Sequence, residues 1–211
     1  MGTATRTLPP RPPRGIATVL QDIRAGIAAC RVCPGMAPFR KHPVESFGTT
    51  RTGYVLIGEA AGPGPRAFAD AAGEVMRGAL ADVGDAHYTE LEDLFFLSHA
   101  ARCVPTRKGK KRAPTLVECR TCRPYLDFEM RALHPRLVLA VGSLAATAVL
   151  GEPVRIGDVH GRRWRRGDLQ VLTLASPSPH NRVALRRLDI TPEGYRRWLT
   201  GLFGALIDDL S

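Results

Sequence analysis

A chain of 211 residues, 44% of them hydrophobic, holds enough apolar material for one well-buried domain and fits one better than two. Its net charge of +10 and pI near 10 call for a polyanionic partner, most commonly nucleic acid, unless the protein is merely basic and soluble. No stretch approaches a membrane span and the N-terminus lacks the apolar centre of a secretion signal; the expected location is cytoplasmic, at the nucleoid, with no membrane partner.

Residues 1–14, rich in Pro, Arg and Thr, read as a disordered tail, and 15–211 as the single domain. Ile16 to Ala29 carries apolar residues at helical spacing (Ile16, Val19, Leu20, Ile23, Ile27) and delivers the chain to Cys30. A loop runs to about Arg51. Four short apolar runs then read as strands: Tyr54–Ile57, Leu94–Ser98, Leu137–Val141 and Leu169–Leu174. Helical patterns lie between them over Ala71–Val83, Pro114–Ala132 and Ser143–Leu150, and a last helix runs from Pro192 to about Ile207. This alternation predicts a three-layer α/β/α fold with a four-stranded, mainly parallel central sheet.

Ligands of such sheets bind beyond the carboxyl ends of the strands. The four strands are followed by "GEAAGPGP" (Gly58–Pro65), "HAARC" (His99–Cys103), "GSLAAT" (Gly142–Thr147) and, from Leu174 to Asn181, "LASPSPHN". The last of these places two prolines, two serines, a histidine and an asparagine directly after a buried run, with Arg182, Arg186 and Arg187 close behind.

Five cysteines in a reducing compartment are ligands or buried hydrophobes rather than a disulfide framework. Cys30-x-x-Cys33 lies at a helix end, Cys103 follows a strand, and Cys119 and Cys122 stand one turn apart on a helix, where both could face one point. Four thiolates from three segments could hold zinc or a [4Fe-4S] cluster. Spacing alone leaves a zinc site on the two C-x-x-C pairs open, and burial without metal as well.

From Cys30 to Leu199 the chain resembles the iron-sulfur uracil-DNA glycosylases of bacteria and archaea, types four and five. The motifs that carry the resemblance stand in order: C-x-x-C; a strand, then "GEAAG"; "FADAAG"; a strand, then "RC"; "PT" ahead of "CRPYL"; a strand, then "VGSLA"; "VHG"; and "SPSPHN". The resemblance implies a [4Fe-4S] cluster on Cys30, Cys33, Cys103 and Cys122, with Cys119 as a spare. It implies a monofunctional DNA glycosylase that initiates base excision repair by cutting uracil, or another deaminated base, from DNA. The sequence also departs from the family. Ser176 stands where most members have His, His99 where type four has an Asn reading the uracil edge, and the first loop is shortened between Gly62 and Phe68.

Cutting a base from deoxyribose leaves positive charge on the sugar and negative charge on the departing base, so the site needs an anion on one side and donors on the other. Asp70 is the first candidate to orient the water and stabilise the cation, and Glu59 the second. From the residues alone, Asp70 is equally a helix N-cap, and Glu59 a buried carboxylate that ties down its own loop. A flipped base also needs an aromatic face and donors to its edge. The resemblance assigns Phe68 to the face and places Gly58 and Ala60 beside the base; His99 would donate to a base carbonyl, or is an ordinary strand-end histidine. Ser176 and Ser178 would meet phosphate or base on a loop stiffened by Pro177 and Pro179. His180 would fill the hole left by the flipped base and supply a donor, and Asn181 would position water or base.

The positive charge is clustered. Six of the eleven residues from Arg102 to Arg112 are basic, and "RRWRR" spans Arg162–Arg166. Such runs usually form a solvated face, but two of them adjoin the candidate loops, which fits phosphate tracking along DNA; the protein is expected to act as a monomer. Two rival readings are a uracil-DNA or single-strand binding protein on the same fold with weak or no excision, and a zinc-stabilised nucleic-acid-binding module.

Overall fold

The computed structural model describes residues 14–33, 44–62, 66–107 and 110–211. Residues 1–13 of the expected tail, 34–43 of the first long loop, 63–65 of the shortened loop and 108–109 of the basic loop lie outside the described residues. Arg14, counted with the tail, opens the first helix.

In chain order the elements are α1 (Arg14–Ala29), β1 (Phe47–Gly48), β2 (Tyr54–Ala60), α2 (Ala71–Ala81), α3 (Leu91–Leu94), β3 (Phe96–Ala101), β4 (Thr106–Arg107) and β5 (Lys110–Lys111). Then follow α4 (Leu116–Leu133), β6 (Leu137–Val141), α5 (Ser143–Leu150), α6 (Ile156–Val159), β7 (Arg163–Arg166), β8 (Leu169–Leu174), α7 (Arg182–Arg187) and α8 (Pro192–Asp208). The main sheet runs β1-β3-β2-β6-β8-β7, with β3, β2, β6 and β8 mutually parallel.

The expected four strands are thus the centre of a sheet of six. Both additions are antiparallel edges that carry no hydrophobic signal. β1 is two residues long, and β7 is Arg-Trp-Arg-Arg, turned onto β8 by Gly167, whose φ of 60° suits the two-residue hairpin. Exposed arginines on an edge strand also deter pairing with other chains. The second strand begins later than expected, because Leu91–Leu94 winds into α3. Its N-terminus is closed by Asp93, whose Oδ2 accepts from the Glu90 N–H at 2.8 Å.

Side chains alternate between two cores. Tyr54, Leu56, Leu139 and Leu172 pack with Met76 of α2 and Phe203 of α8, while Val55, Ile57, Val138 and Val171 pack with α1, α4 and α5. Both faces of the sheet are therefore covered, as a parallel sheet requires. After β2 the chain leaves to α2 on one face, and after β6 to α5 on the other. Their carboxyl ends part there, forming the crevice in which doubly wound sheets bind ligands. Among the described residues no helix is long and apolar enough to cross a membrane.

Candidate active site

At that crevice a cleft of about 650 Å³ opens, within the range of small-ligand sites. It is lined by Gly58, Glu59 and Ala60 from the end of β2, Phe68 and Asp70 from the turn into α2, His99 of β3, and Ser176, Ser178 and His180 from the loop after β8. Of the ten catalytic and substrate-binding positions expected from the sequence, Asn181 does not line it.

The floor is a pair of rings. Phe68 and His99 stack with centroids 5.0 Å apart and planes at 23°, each only 3% exposed. Phe68 has φ 57°, a left-handed conformation that costs a non-glycine residue about 1–3 kcal/mol and persists only where neighbours enforce it. They do so here. Arg77 Nη1 and Nη2 donate to the Phe68 carbonyl at 3.1 and 3.0 Å, and Gly73 presses so close that a Cβ on it would lie 1.7 Å from that oxygen. Gly73→Ala is therefore expected to displace the Phe68 backbone, destabilising the protein by about 2–3 kcal/mol in urea melts. Gly58 serves the other ring, since a Cβ there would sit 2.7 Å from His99 Cδ2.

Burial first, then the charges of Arg102 and Lys111, pushes His99 down to about 3, so the imidazole is neutral at physiological pH. Among the described residues neither of its nitrogens is hydrogen-bonded, which leaves them for a ligand in the cleft. The shift fixes a pH dependence of stability. The unfolded chain protonates this histidine near pH 6.5 and the folded one only near 3, so the unfolded state binds more protons in between and stability falls as pH drops through that window. Urea unfolding at pH 5 is expected to show about 2 kcal/mol less stability from this group than at pH 7, a difference that His99→Asn removes.

The two carboxylates are held differently. Asp70 is the N-cap of α2, its Oδ1 accepting from the Gly73 N–H at 3.1 Å, while Oδ2 lies 4.0 Å from Lys111 Nζ. A cap uses one oxygen and leaves the other. Glu59 is more enclosed: Oε1 accepts from the Leu144 N–H at 2.9 Å, and burial raises its pKa against the pull of the Leu144 and Ser143 backbone bonds. It fastens β2 to the N-terminus of α5 rather than tying down its own loop.

The loop after β8 is tied to itself. Ser176 Oγ accepts from the Ser178 N–H at 3.4 Å, and Ser178 Oγ from the His180 N–H at 3.3 Å. Asn181 Nδ2 donates to the Ser176 carbonyl at 3.0 Å, so its amide holds the loop. His180 stands exposed at the rim, in a 3-10 turn over Pro179–Asn181.

Two charged lining residues were not singled out as site residues in the sequence. Lys111 and Arg112 reach the cleft because β4 and β5 form a hairpin that folds the basic loop back over it. Arg112 is engaged by Glu118, at 2.8 and 2.5 Å, whereas Lys111 faces Asp70. The run of six basic residues was the available signal; only the hairpin says which of them points inward.

The sequence model of the uracil DNA glycosylase superfamily matches residues 45–199, which contain every element that lines this cleft. The chain belongs to that superfamily. It is similar to the type-4 uracil-DNA glycosylase of Pyrobaculum aerophilum, 27% identical over 197 residues, covering 90% of this chain and 95% of the relative. The type-4 uracil-DNA glycosylase of Archaeoglobus fulgidus is 28% identical over 75% of this chain and 81% of its own length, and that of Sulfurisphaera tokodaii 24% identical over 83% and 87%.

In this member of the uracil DNA glycosylase superfamily, Cys30, Cys33, Cys103 and Cys122 line one small cavity of about 20 Å³ between the end of α1, the residues after β3, and α4. Among the described residues no three His, Cys, Asp or Glu side chains are already gathered as metal ligands. Cys119 does not share the cavity. Three residues along α4 turn the side chain by about 60°, and it lies instead beside Thr147 and Ala148 of α5, where burial pushes its thiol up to about 12. Cys119 and Cys122 therefore do not face one point. Arg102 also lines the cavity. Its Nη2 donates to Glu129 Oε2 at 2.5 Å, and Glu129 accepts in turn from Ser46 at 2.6 Å and Ser98 at 2.9 Å, but Arg102 Nε is buried with no partner among the described residues. Four thiols beside an unsatisfied cationic donor fit an anionic, thiolate-held centre.

Proposed function

We propose that the protein is a monofunctional DNA glycosylase that hydrolyses the N-glycosidic bond of uracil in DNA and so initiates base excision repair. The observation that carries this reading is the convergence, in one cleft, of the Asp70 carboxylate, the Phe68–His99 ring pair and the donors of the loop after β8. Its type-4 relatives are named for uracil excision.

The flipped base lies against Phe68, and neutral His99 donates to one of its carbonyl oxygens. Asp70 uses the oxygen not spent on its cap to accept a hydrogen bond from water, and its charge faces the sugar as the C1′–N bond lengthens. The water oxygen bonds to C1′ and loses a proton, while the base departs with the bonding electrons and is protonated. Ser176, Ser178 and His180 offer the donors that lower the energy of that anion; because Ser176 is uncharged, His99 and His180 carry more of this work. Lys111 and the arginines of α7 meet phosphates on either side of the cleft.

Cys30, Cys33, Cys103 and Cys122 would hold a [4Fe-4S] cluster, with zinc as the alternative occupant; when bound, it supplies a cross-link between three segments and takes no part in the hydrolysis. The protein acts as a monomer at the nucleoid.

The test is a panel of DNAs bearing one uracil, hypoxanthine or xanthine, incubated with the protein and then cleaved with alkali at abasic sites. Scission at uracil is the expected result, and scission at the other two would widen the substrate class. Tight binding to uracil DNA without release would overturn the enzymatic reading in favour of a binding protein on the same fold.

A further inference from the structure

The strand that feeds the loop ends before the loop begins. β8 stops at Leu174, whose carbonyl still accepts from the Gly142 N–H at 2.8 Å, but β6 has ended at Val141 and β7 pairs no further than Leu172. Ala175 therefore lies beyond both neighbouring strands, yet it is fully buried, and both of its backbone polar groups need partners. Two side chains from distant elements supply them. The Ala175 N–H donates to His160 Nδ1 at 3.1 Å, and Tyr195 Oη donates to the Ala175 carbonyl at 2.6 Å.

These two residues are themselves fixed. The His160 ring meets the Tyr195 ring edge-on at 5.2 Å and 88°, with Trp198 at 5.5 Å. The turn that carries His160 is stitched to β8, Gly161 N–H donating to the Thr173 carbonyl at 2.7 Å and the Thr173 hydroxyl to the Val159 carbonyl. Burial of His160 lowers its pKa and that of Tyr195 raises it, so the first remains an acceptor and the second a donor. The next residue along the chain is Ser176, at the cleft.

We propose that His160 and Tyr195 are positioning residues that clamp Ala175 from both sides and thereby set where Ser176, Ser178 and His180 meet the base. Neither touches the cleft; they act through the backbone. This rests on the glycosylase reading above, and a displacement of about 1 Å at a reacting centre is worth about 100-fold in rate.

Three variants separate the clamp from simple packing. His160→Phe keeps a ring against Tyr195 and Trp198 but removes the acceptor, His160→Asn returns an acceptor close to the Nδ1 position, and Tyr195→Phe removes only the donor. Single-turnover release of uracil at saturating DNA is expected to fall about 10- to 100-fold in His160→Phe and about tenfold in Tyr195→Phe, with DNA affinity within about twofold of wild type. His160→Asn is expected to recover most of the rate. Hydrogen exchange at the Ala175 amide, which does not depend on activity, is expected to quicken about tenfold in His160→Phe and to return towards wild type in His160→Asn. An unchanged Ala175 amide in His160→Phe, or a His160→Asn protein as slow as His160→Phe, overturns the clamp. If wild type itself releases no uracil, the glycosylase reading has failed and the exchange measurement alone decides the clamp.

Discussion

Asp70→Asn is expected to slow the release of uracil from DNA by a factor of about 10²–10⁴ while leaving the fold within about 1 kcal/mol of wild type. The substitution is informative because of how Asp70 is held. One oxygen caps α2 through the Gly73 N–H, and asparagine caps helices as well as aspartate does. What asparagine lacks is the negative charge on the second oxygen, which stands by Lys111 at the cleft. Rate and stability thus separate the two roles of one residue: a slow, stable variant has lost the charge, whereas a fast, stable one shows that Asp70 is only a cap. Single-turnover assays with saturating DNA, beside a urea melt, read both. In the second outcome Glu59 becomes the remaining carboxylate, and Glu59→Gln, which keeps an oxygen to accept from the Leu144 N–H, is the variant that tests it.

The second large effect concerns the cysteines. Cys122→Ala is expected to yield protein without colour or iron, and with a Tm lower by about 10 °C, since the binding energy of a structural centre is part of the folding energy. Cys119→Ala, three residues away on the same helix, is expected to keep both and to lose only about 1 kcal/mol as a small buried group. Iron analysis and absorbance of the two purified variants make the comparison. Equal loss in both would return the ligand set to the two C-x-x-C pairs, and colourless wild-type protein with one zinc would remove the cluster.

The parallel strands and the loops at their carboxyl ends were legible along the chain. Leu137–Val141 ends where expected, because a fully buried parallel strand needs an unbroken apolar run and Gly142 stops it; Leu169–Leu174 also keeps its expected limits, although Gln170 and Thr173 interrupt its run. The gathering of Glu59, Asp70, His99 and the two serines was legible because a parallel sheet collects its ligand-binding residues at one end, although Glu59 and His99 stand on β2 and β3, which run past their expected ends at Ile57 and Ser98, rather than on loops. The edge strands were not legible. β1 is too short to have a period, and the arginines of β7 are chosen for solvent rather than for a core.

Local sequence determined the four parallel strands, the longer helices, the order of the loops and the two C-x-x-C pairs, because periodicity and spacing are properties of neighbours along the chain. It left Asp70 as cap or catalyst, Glu59 as catalyst or tie of its own loop, and Cys119 as ligand or spare. Tertiary structure resolved where these groups point: Asp70 caps with one oxygen and shows the other to the cleft, Glu59 bridges to α5, and Cys119 turns away from the other four thiols. The clamp on Ala175 was not legible along the chain: His160 stands in the "VHG" motif, but it and Tyr195 lie 15 and 20 residues from Ala175 in opposite directions, and no spacing links the three. Hydrogen bonds between side chains and a distant backbone leave no periodic trace; they exist only once the sheet has ended and the backbone beyond it needs partners.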